Sequence, residues 1–174
     1  MRQPHTILLL LAALLLAACS GAPPAPPVDH SAMNMDIRPK DLARLPEFAF
    51  QDLSGRVVSS KEFAGKVLLV DVWATWCPPC KEEMPWFQEL HEQYRDAGLE
   101  VIGISIDPSP ADAARFAKEI GVSYRLLHHP EVMQEWGLLG LPTTLIVDRE
   151  GNIRRKIVGF DYKETFETAV RELL

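Results

Sequence analysis

Cysteine is scarce in this chain of 174 residues: there are three, at positions 19, 77 and 80. A secreted scaffold stapled by disulfides would carry more of them, spread along the sequence, so that fold class is excluded. There is no block of basic residues and the formal net charge is −6, which removes the electrostatic footprint of a nucleic-acid binder. Internal repeats are also absent, and so is any apolar run near the ~20 residues that a membrane-crossing helix needs. With 47% hydrophobic residues the chain can nevertheless bury a real core, and its length suits one domain plus an export segment and a linker.

The longest apolar run, Ile7 to Leu16, follows Arg2 and has the length of a signal-peptide core. It ends in Leu16-Ala17-Ala18-Cys19, which resembles the cleavage box of bacterial lipoproteins. The resemblance implies a signal peptide over 1–18 and a lipidated N-terminus at Cys19, held at a membrane by its acyl chains. Ser20, in place of an aspartate after the cysteine, favours the outer over the inner membrane, on the periplasmic side of the cell envelope. Residues 19–45 then read as a tether. Its Ala22-Pro23-Pro24-Ala25-Pro26-Pro27 is semi-rigid, extended polyproline. His30, Met33 and Met35 are soft ligands within it, but three scattered ligands in a linker do not define a copper site.

From Pro46 to Leu174 the pattern alternates between strand and helix. Phe48 to Val58, turning at Ser54-Gly55, predicts a hairpin, and Ser60 should cap a short helix to Ala64. Lys66 to Trp73 is a nearly continuous apolar run rich in β-branched residues, the mark of a strand buried on both faces. Pro79 to Ala97 predicts a helix with Trp86, Phe87, Leu90 and Tyr94 inward and Pro85 inside it. A second buried strand is expected over 100–106, and a helix capped by Ser109 and stopped by Gly121 follows. Tyr124 to Leu127 predicts a short strand and Pro130 to Trp136 a short helix. A hairpin over 144–158 and a helix capped by Asp161, with Phe166, Ala169, Val170 and Leu173 inward, complete the chain. The alternation predicts an α/β sheet covered on both faces.

The chemistry lies in Trp76-Cys77-Pro78-Pro79-Cys80. A structural disulfide closing so small a ring removes little entropy from the unfolded chain. A zinc site would need two further ligands, and His5, His30, His91, His128 and His129 form no second pair at the right spacing. Redox exchange remains. The pair follows a buried strand and opens a long helix, where free N–H groups and the helix dipole favour a thiolate. Cys77 is therefore expected to be the exposed nucleophile, with Cys80, one turn inside the helix, as the resolving thiol. Glu82 and Glu83 read as negative charge favouring the start of that helix, ahead of a proton-transfer role beside the cysteines. His128-His129 reads as a solvated loop pair.

The stretch Val70 to Cys80 resembles the active-site segment of thioredoxins, and Gly140-Leu141-Pro142-Thr143 resembles their cis-proline loop. Lys81-Glu82-Glu83-Met84-Pro85, with the extra helix and strand between Ser109 and Leu127, is similar to the TlpA/ResA/CcmG group of membrane-tethered thioredoxins. The resemblance covers residues 46–174. It implies a thioredoxin-like fold: a central mixed sheet flanked by helices, with an N-terminal hairpin and a central helix–strand insert. It makes Asp71 the buried carboxyl that accepts the Cys80 proton. It also puts a cis peptide bond at Pro142 beside the cysteines, leaves Leu141 backbone groups to pair with substrate, and makes Trp76 an exposed docking aromatic. Trp73 is expected in the core.

No cofactor is implied. The implied partners are protein disulfides, such as those of apocytochrome c or copper-site proteins, and a membrane electron donor resembling DsbD or CcdA. Pro78 stands where ResA-type members carry a glutamate. Pro78-Pro79 also offers no histidine or cation to stabilise a thiolate, which lowers the potential and predicts a reductant. Three alternatives are weaker. A peroxidase places Thr three residues before its cysteine, where this chain has Ala74, with Thr75 two before it. A Sco-like copper carrier would need His128 or His129 beside the cysteine pair. A non-catalytic adaptor would not need the cysteines at all.

Overall fold

The computed structural model describes residues 43–174. The expected signal peptide, Cys19 and the tether as far as residue 42, with its His and Met residues, lie outside the described residues. Among the described residues no helix is long and apolar enough to cross a membrane.

Seven strands form one sheet in the order β2-β1-β5-β4-β3-β6-β7. They are β1 (Ala49–Asp52), β2 (Val57–Ser59), β3 (Val67–Trp73), β4 (Leu99–Ser105), β5 (Arg125–His128), β6 (Thr143–Val147) and β7 (Ile153–Val158). β3 runs parallel to β4, and β4 to β5; the other pairings are antiparallel. The helices are α1 (Pro78–Tyr94), α2 (Pro110–Ile120), α3 (Val132–Glu135) and α4 (Lys163–Arg171). The expected insert is therefore α2 and β5, and β5 joins the N-terminal hairpin to the rest of the sheet by pairing Gln51 with His128.

β3 is buried at every position, as its unbroken apolar run required, and its residues alternate between two cores. Val67, Leu69 and Trp73 pack with Met84, Phe87 and Leu90 of α1 and Phe166, Ala169 and Val170 of α4. Leu68, Val70 and Val72 face Phe48, Phe50, Phe63 and Val132 on the other side. Phe87 and Phe166 meet edge to face, centroids 5.0 Å apart, tying α1 to α4. α1 continues through Pro85. Gly121, at φ 78°, ends α2 in the left-handed conformation that glycine adopts without strain.

Several local expectations shift. The short helix is a 3₁₀ turn, Ser60–Phe63, capped by Ser59 rather than Ser60. Ser59 and Glu62 complete a capping box, while the Ser60 hydroxyl accepts the Phe48 N–H at 3.2 Å. Ala43 to Leu45 bond to the β6–β7 turn, Leu45 N–H to Gly151 carbonyl at 2.9 Å and Ile153 N–H to Ala43 carbonyl at 3.2 Å. Backbone pairing thus begins ahead of Pro46. His128 and His129 are half-buried rather than solvated: His128 Nε2 lies 2.7 Å from the Asp107 carbonyl, and His129 stacks on Phe50 at 4.0 Å.

Candidate active site

The C-terminal ends of β3 and β4 and the start of α1 meet at the cysteine pair. β3 ends at Trp73, and Ala74 to Trp76 turn the chain so that Cys77 becomes the N-cap of α1. The N–H of Cys80 points at Cys77 Sγ, 3.3 Å away, one of the otherwise unpaired donors of a helix start. Cys77 and Cys80 are joined in a disulfide, Cα to Cα 5.4 Å. Both are buried: Cys80 fully, and Cys77 with 4% of its surface exposed. The expectation of an exposed Cys77 is corrected, because the apolar packing of the turn covers all but its rim. The neighbouring Trp76 is 62% exposed, as an outward aromatic should be, and Trp73 is fully buried.

The Leu141–Pro142 peptide bond is cis. Thr143 pairs with Val72, so the residues just before it lie alongside Trp73 and Ala74. Leu141 is half-buried, and the Pro142 carbonyl accepts the Gly159 N–H at 2.8 Å. Leu139, two residues before Leu141, and Tyr162 are large apolar side chains left exposed.

Two carboxyls are buried on the elements that flank the disulfide, β3 and α1. Asp71 is fully buried on the α1 face of β3, flanked in register by Gly103 and Thr144. Neither of its oxygens has a hydrogen-bond partner. Desolvation raises its pKa to about 8, because a carboxylate deprived of water and of donors is far less stable than the acid. Glu83 is the second. From its place in the first helical turn it was expected to act as a charge favouring the helix start; it is instead fully buried. One oxygen accepts the Asp161 N–H at 2.9 Å and the other is unpartnered. Its pKa is pushed up to about 9, by desolvation first and then by the proximity of Asp71. Spacing carried a signal for this: Cys80, Glu83, Phe87 and Leu90 recur at the period of the buried stripe of α1. Among the described residues no cation contributes to the shift of either carboxyl; Lys81, the first after Cys80, lies over the Phe116 ring at 5.2 Å.

Asp107 is the other residue that sequence reasoning passed over. It is buried, and both its oxygens receive donors from the turn that precedes Cys77. Its signal was the period of two along β4, which puts Gly103, Ser105 and Asp107 on one side at the strand end beside Trp73. Thr75 is the threonine nearest the cysteine, and its hydroxyl is committed to Asp107 at 2.6 Å. Among the described residues no three His, Cys, Asp or Glu side chains are grouped so as to hold a metal ion.

A seven-stranded thioredoxin-like sheet that presents a Cys-x-x-Cys disulfide at the tip of its first long helix, opposite a cis-proline, is the framework of a thiol–disulfide oxidoreductase. Comparison with known proteins agrees. The chain belongs to the AhpC/TSA family, whose model matches residues 43–156. It is 30% identical over 130 residues to the thiol-disulfide oxidoreductase ResA of Bacillus thuringiensis subsp. konkukian, covering 74% of this chain and 75% of that one. It is 31% identical over 121 residues to ResA of Geobacillus thermodenitrificans, covering 68% and 70%. Among solved structures, a thiol:disulfide interchange protein of the thioredoxin family from Chlorobium tepidum superposes with TM-score 0.68 at 27% identity, covering 76% of this chain and 96% of that one. A DsbF homologue from Corynebacterium diphtheriae shares the fold, with TM-score 0.72 at 22% identity over 88% and 97% of the two chains. The chain is thus a thioredoxin-like thiol–disulfide oxidoreductase.

Proposed function

We propose that the protein reduces protein disulfides at the periplasmic face of a bacterial envelope, held there by lipid on Cys19, with Cys77 as nucleophile and Cys80 as resolving thiol. The Cys77 thiolate attacks one sulfur of a substrate disulfide, forming a mixed disulfide, and the displaced substrate sulfur leaves and takes up a proton. Asp71 then removes the Cys80 proton. Cys80 attacks Cys77 Sγ, the second substrate sulfur leaves as a thiol, and the enzyme is left with the Cys77–Cys80 bond. Two electrons and two protons pass to the substrate. A membrane dithiol donor resembling DsbD or CcdA restores the reduced pair. Trp76 and the Leu141–Pro142 loop receive the substrate chain beside the sulfurs.

The observation that carries the direction is the burial of the pair: Cys80 is fully buried and Cys77 is 4% exposed, both within the apolar cluster beneath α1. Desolvation disfavours a thiolate. The disulfide form is then the stabler one, and the reduced protein gives up its electrons readily.

Trapping tests this reading. Cys80→Ser should accumulate mixed disulfides at Cys77 whose partners identify the substrate, and Cys77→Ser should abolish insulin reduction. Equilibration with glutathione should give a potential well below the ~ −120 mV of a strong oxidant; a value near that figure reverses the direction. Mass spectrometry of the mature chain tests the anchor: an intact Met1, or a chain without acyl groups, removes it.

A further inference from the structure

The turn that delivers Cys77 is fastened to a third element, the end of β4. Thr75 donates its backbone N–H to both oxygens of Asp107, at 3.1 Å each, and its hydroxyl to Oδ1 at 2.6 Å. The Ser105 hydroxyl donates to Oδ2 at 2.8 Å and itself accepts the Asp107 N–H at 3.1 Å. From β5, His128 Nε2 lies 2.7 Å from the Asp107 carbonyl and steadies its backbone. A carboxyl that is 2% exposed thus draws its hydrogen-bond donors from Thr75 and Ser105. Two further bonds complete the frame: Cys77 N–H to Ala74 carbonyl at 3.1 Å, and Ile106 N–H to Trp73 carbonyl at 3.0 Å.

What this frame holds still is the backbone of Trp76 and Cys77. Cys77 caps α1 only while its Sγ aims at the Cys80 N–H. That alignment lets the helix start stabilise a thiolate, and the effect fades within the first turn. A turn free to swing would lose it. We propose that Asp107 is a positioning residue of the redox centre: through Thr75 it holds the turn that aims Cys77 Sγ at the Cys80 N–H, and so sets how much thiolate the reduced protein carries. The inference rests on the dithiol reading above and adds to it a residue outside the Cys-x-x-Cys segment.

The test uses the full chain, reduced and desalted, with the rate of Cys77 alkylation by iodoacetamide followed against pH and the modified residue assigned by mass spectrometry. Asp107→Asn and Thr75→Val should both move the alkylation midpoint to higher pH, Thr75→Val by the smaller margin because its backbone N–H remains bonded. Alkylation at neutral pH should slow several-fold, and insulin reduction about tenfold, within the ~10²-fold that a displacement of about 1 Å can cost. Thr75→Ser keeps the hydroxyl and should behave as the parent does. A lower midpoint in Asp107→Asn with Thr75→Val unmoved would mean that Asp107 acts by its charge, and would overturn the proposal. So would unmoved midpoints in both alongside reduced unfolding temperatures, which is the signature of a merely structural residue. If Asp107→Asn does not fold, the two Thr75 variants decide alone. Insulin reduction by the parent protein runs in parallel: its absence sinks the functional reading, whereas its presence with unmoved midpoints sinks only the clamp.

Discussion

Replacing Asp71 by asparagine should make the protein more stable and less active at once. The unfolded chain ionises this carboxyl near its ordinary 3.8, whereas the folded chain holds it neutral up to about 8. Between those values the unfolded state binds fewer protons, so stability falls as pH rises through the window and levels off above it. At neutral pH the gap from 3.8 spans roughly three pH units, and at about 1.4 kcal/mol per unit the folded state forgoes on the order of 4 kcal/mol. The protonated acid and the amide both bury an unpartnered polar group, so that cost cancels in the comparison. We expect Asp71→Asn to gain about 2 to 4 kcal/mol at neutral pH, a rise of roughly 10 °C in unfolding temperature. Oxidised protein unfolded by urea, monitored by far-UV circular dichroism at a series of pH values, measures it. The gain should shrink toward nothing as pH falls to the ordinary aspartate range. In the same variant, release of the mixed disulfide should slow, and the rise in turnover with pH that ends near Asp71's raised value should flatten. Equal stability of the two proteins at neutral pH, or a gain that persists in acid, would refute the reasoning.

Two other substitutions probe the same face of the sheet. Glu83→Gln keeps an acceptor for the Asp161 N–H while removing a carboxyl that stays neutral up to about 9 in the folded state. By the same sign it should stabilise by about 2 to 3 kcal/mol at neutral pH, where the gap from 4.5 spans roughly 2.5 units, and not in acid, in urea titrations. Combined with Asp71→Asn it should be additive at neutral pH, where both acids are protonated, and depart from additivity above about pH 8, where Asp71 ionises beside Glu83. Gly103→Ala should be destabilising, because a Cβ there would lie 2.7 Å from Leu126 Cδ2 and 3.0 Å from Trp73 Nε1. A loss of about 1 to 3 kcal/mol in thermal unfolding is expected, and an unchanged melting temperature would show that the walls around Asp71 give way.

The architecture was legible wherever burial leaves a strong period. The apolar runs of β3 and β4 announced central strands, Gly121 marked the end of α2, and Gly98 closes the 3₁₀ turn Arg95–Ala97 into which α1 runs. Ser59 and Ser60 were harder to tell apart: adjacent serines offer the same hydroxyl, and tertiary contact with Phe48 decides which one caps. The redox pair was legible because two sulfurs at that spacing have few other uses. Glu83 was misplaced by a local rule, the preference of acids for a helix start, which its position on the buried stripe overrode. Asp107 carried only the weak signal of its period along β4, and its role could not be read from it. Its partner Thr75 lies on another strand's end, and which strands adjoin is a property of the folded sheet rather than of any window of sequence.

The order of strands across the sheet also bears on how the chain comes together. β1 and β2, made first, find their place only against β5, which follows β1 by more than seventy residues. The leading hairpin therefore lacks its sheet neighbour during synthesis, its edge unpaired until β5 arrives. Closing so long a loop late is entropically slow, and an unpaired strand edge in the interval invites the wrong partner. The segment that fastens the domain to whatever precedes it is the last to be secured.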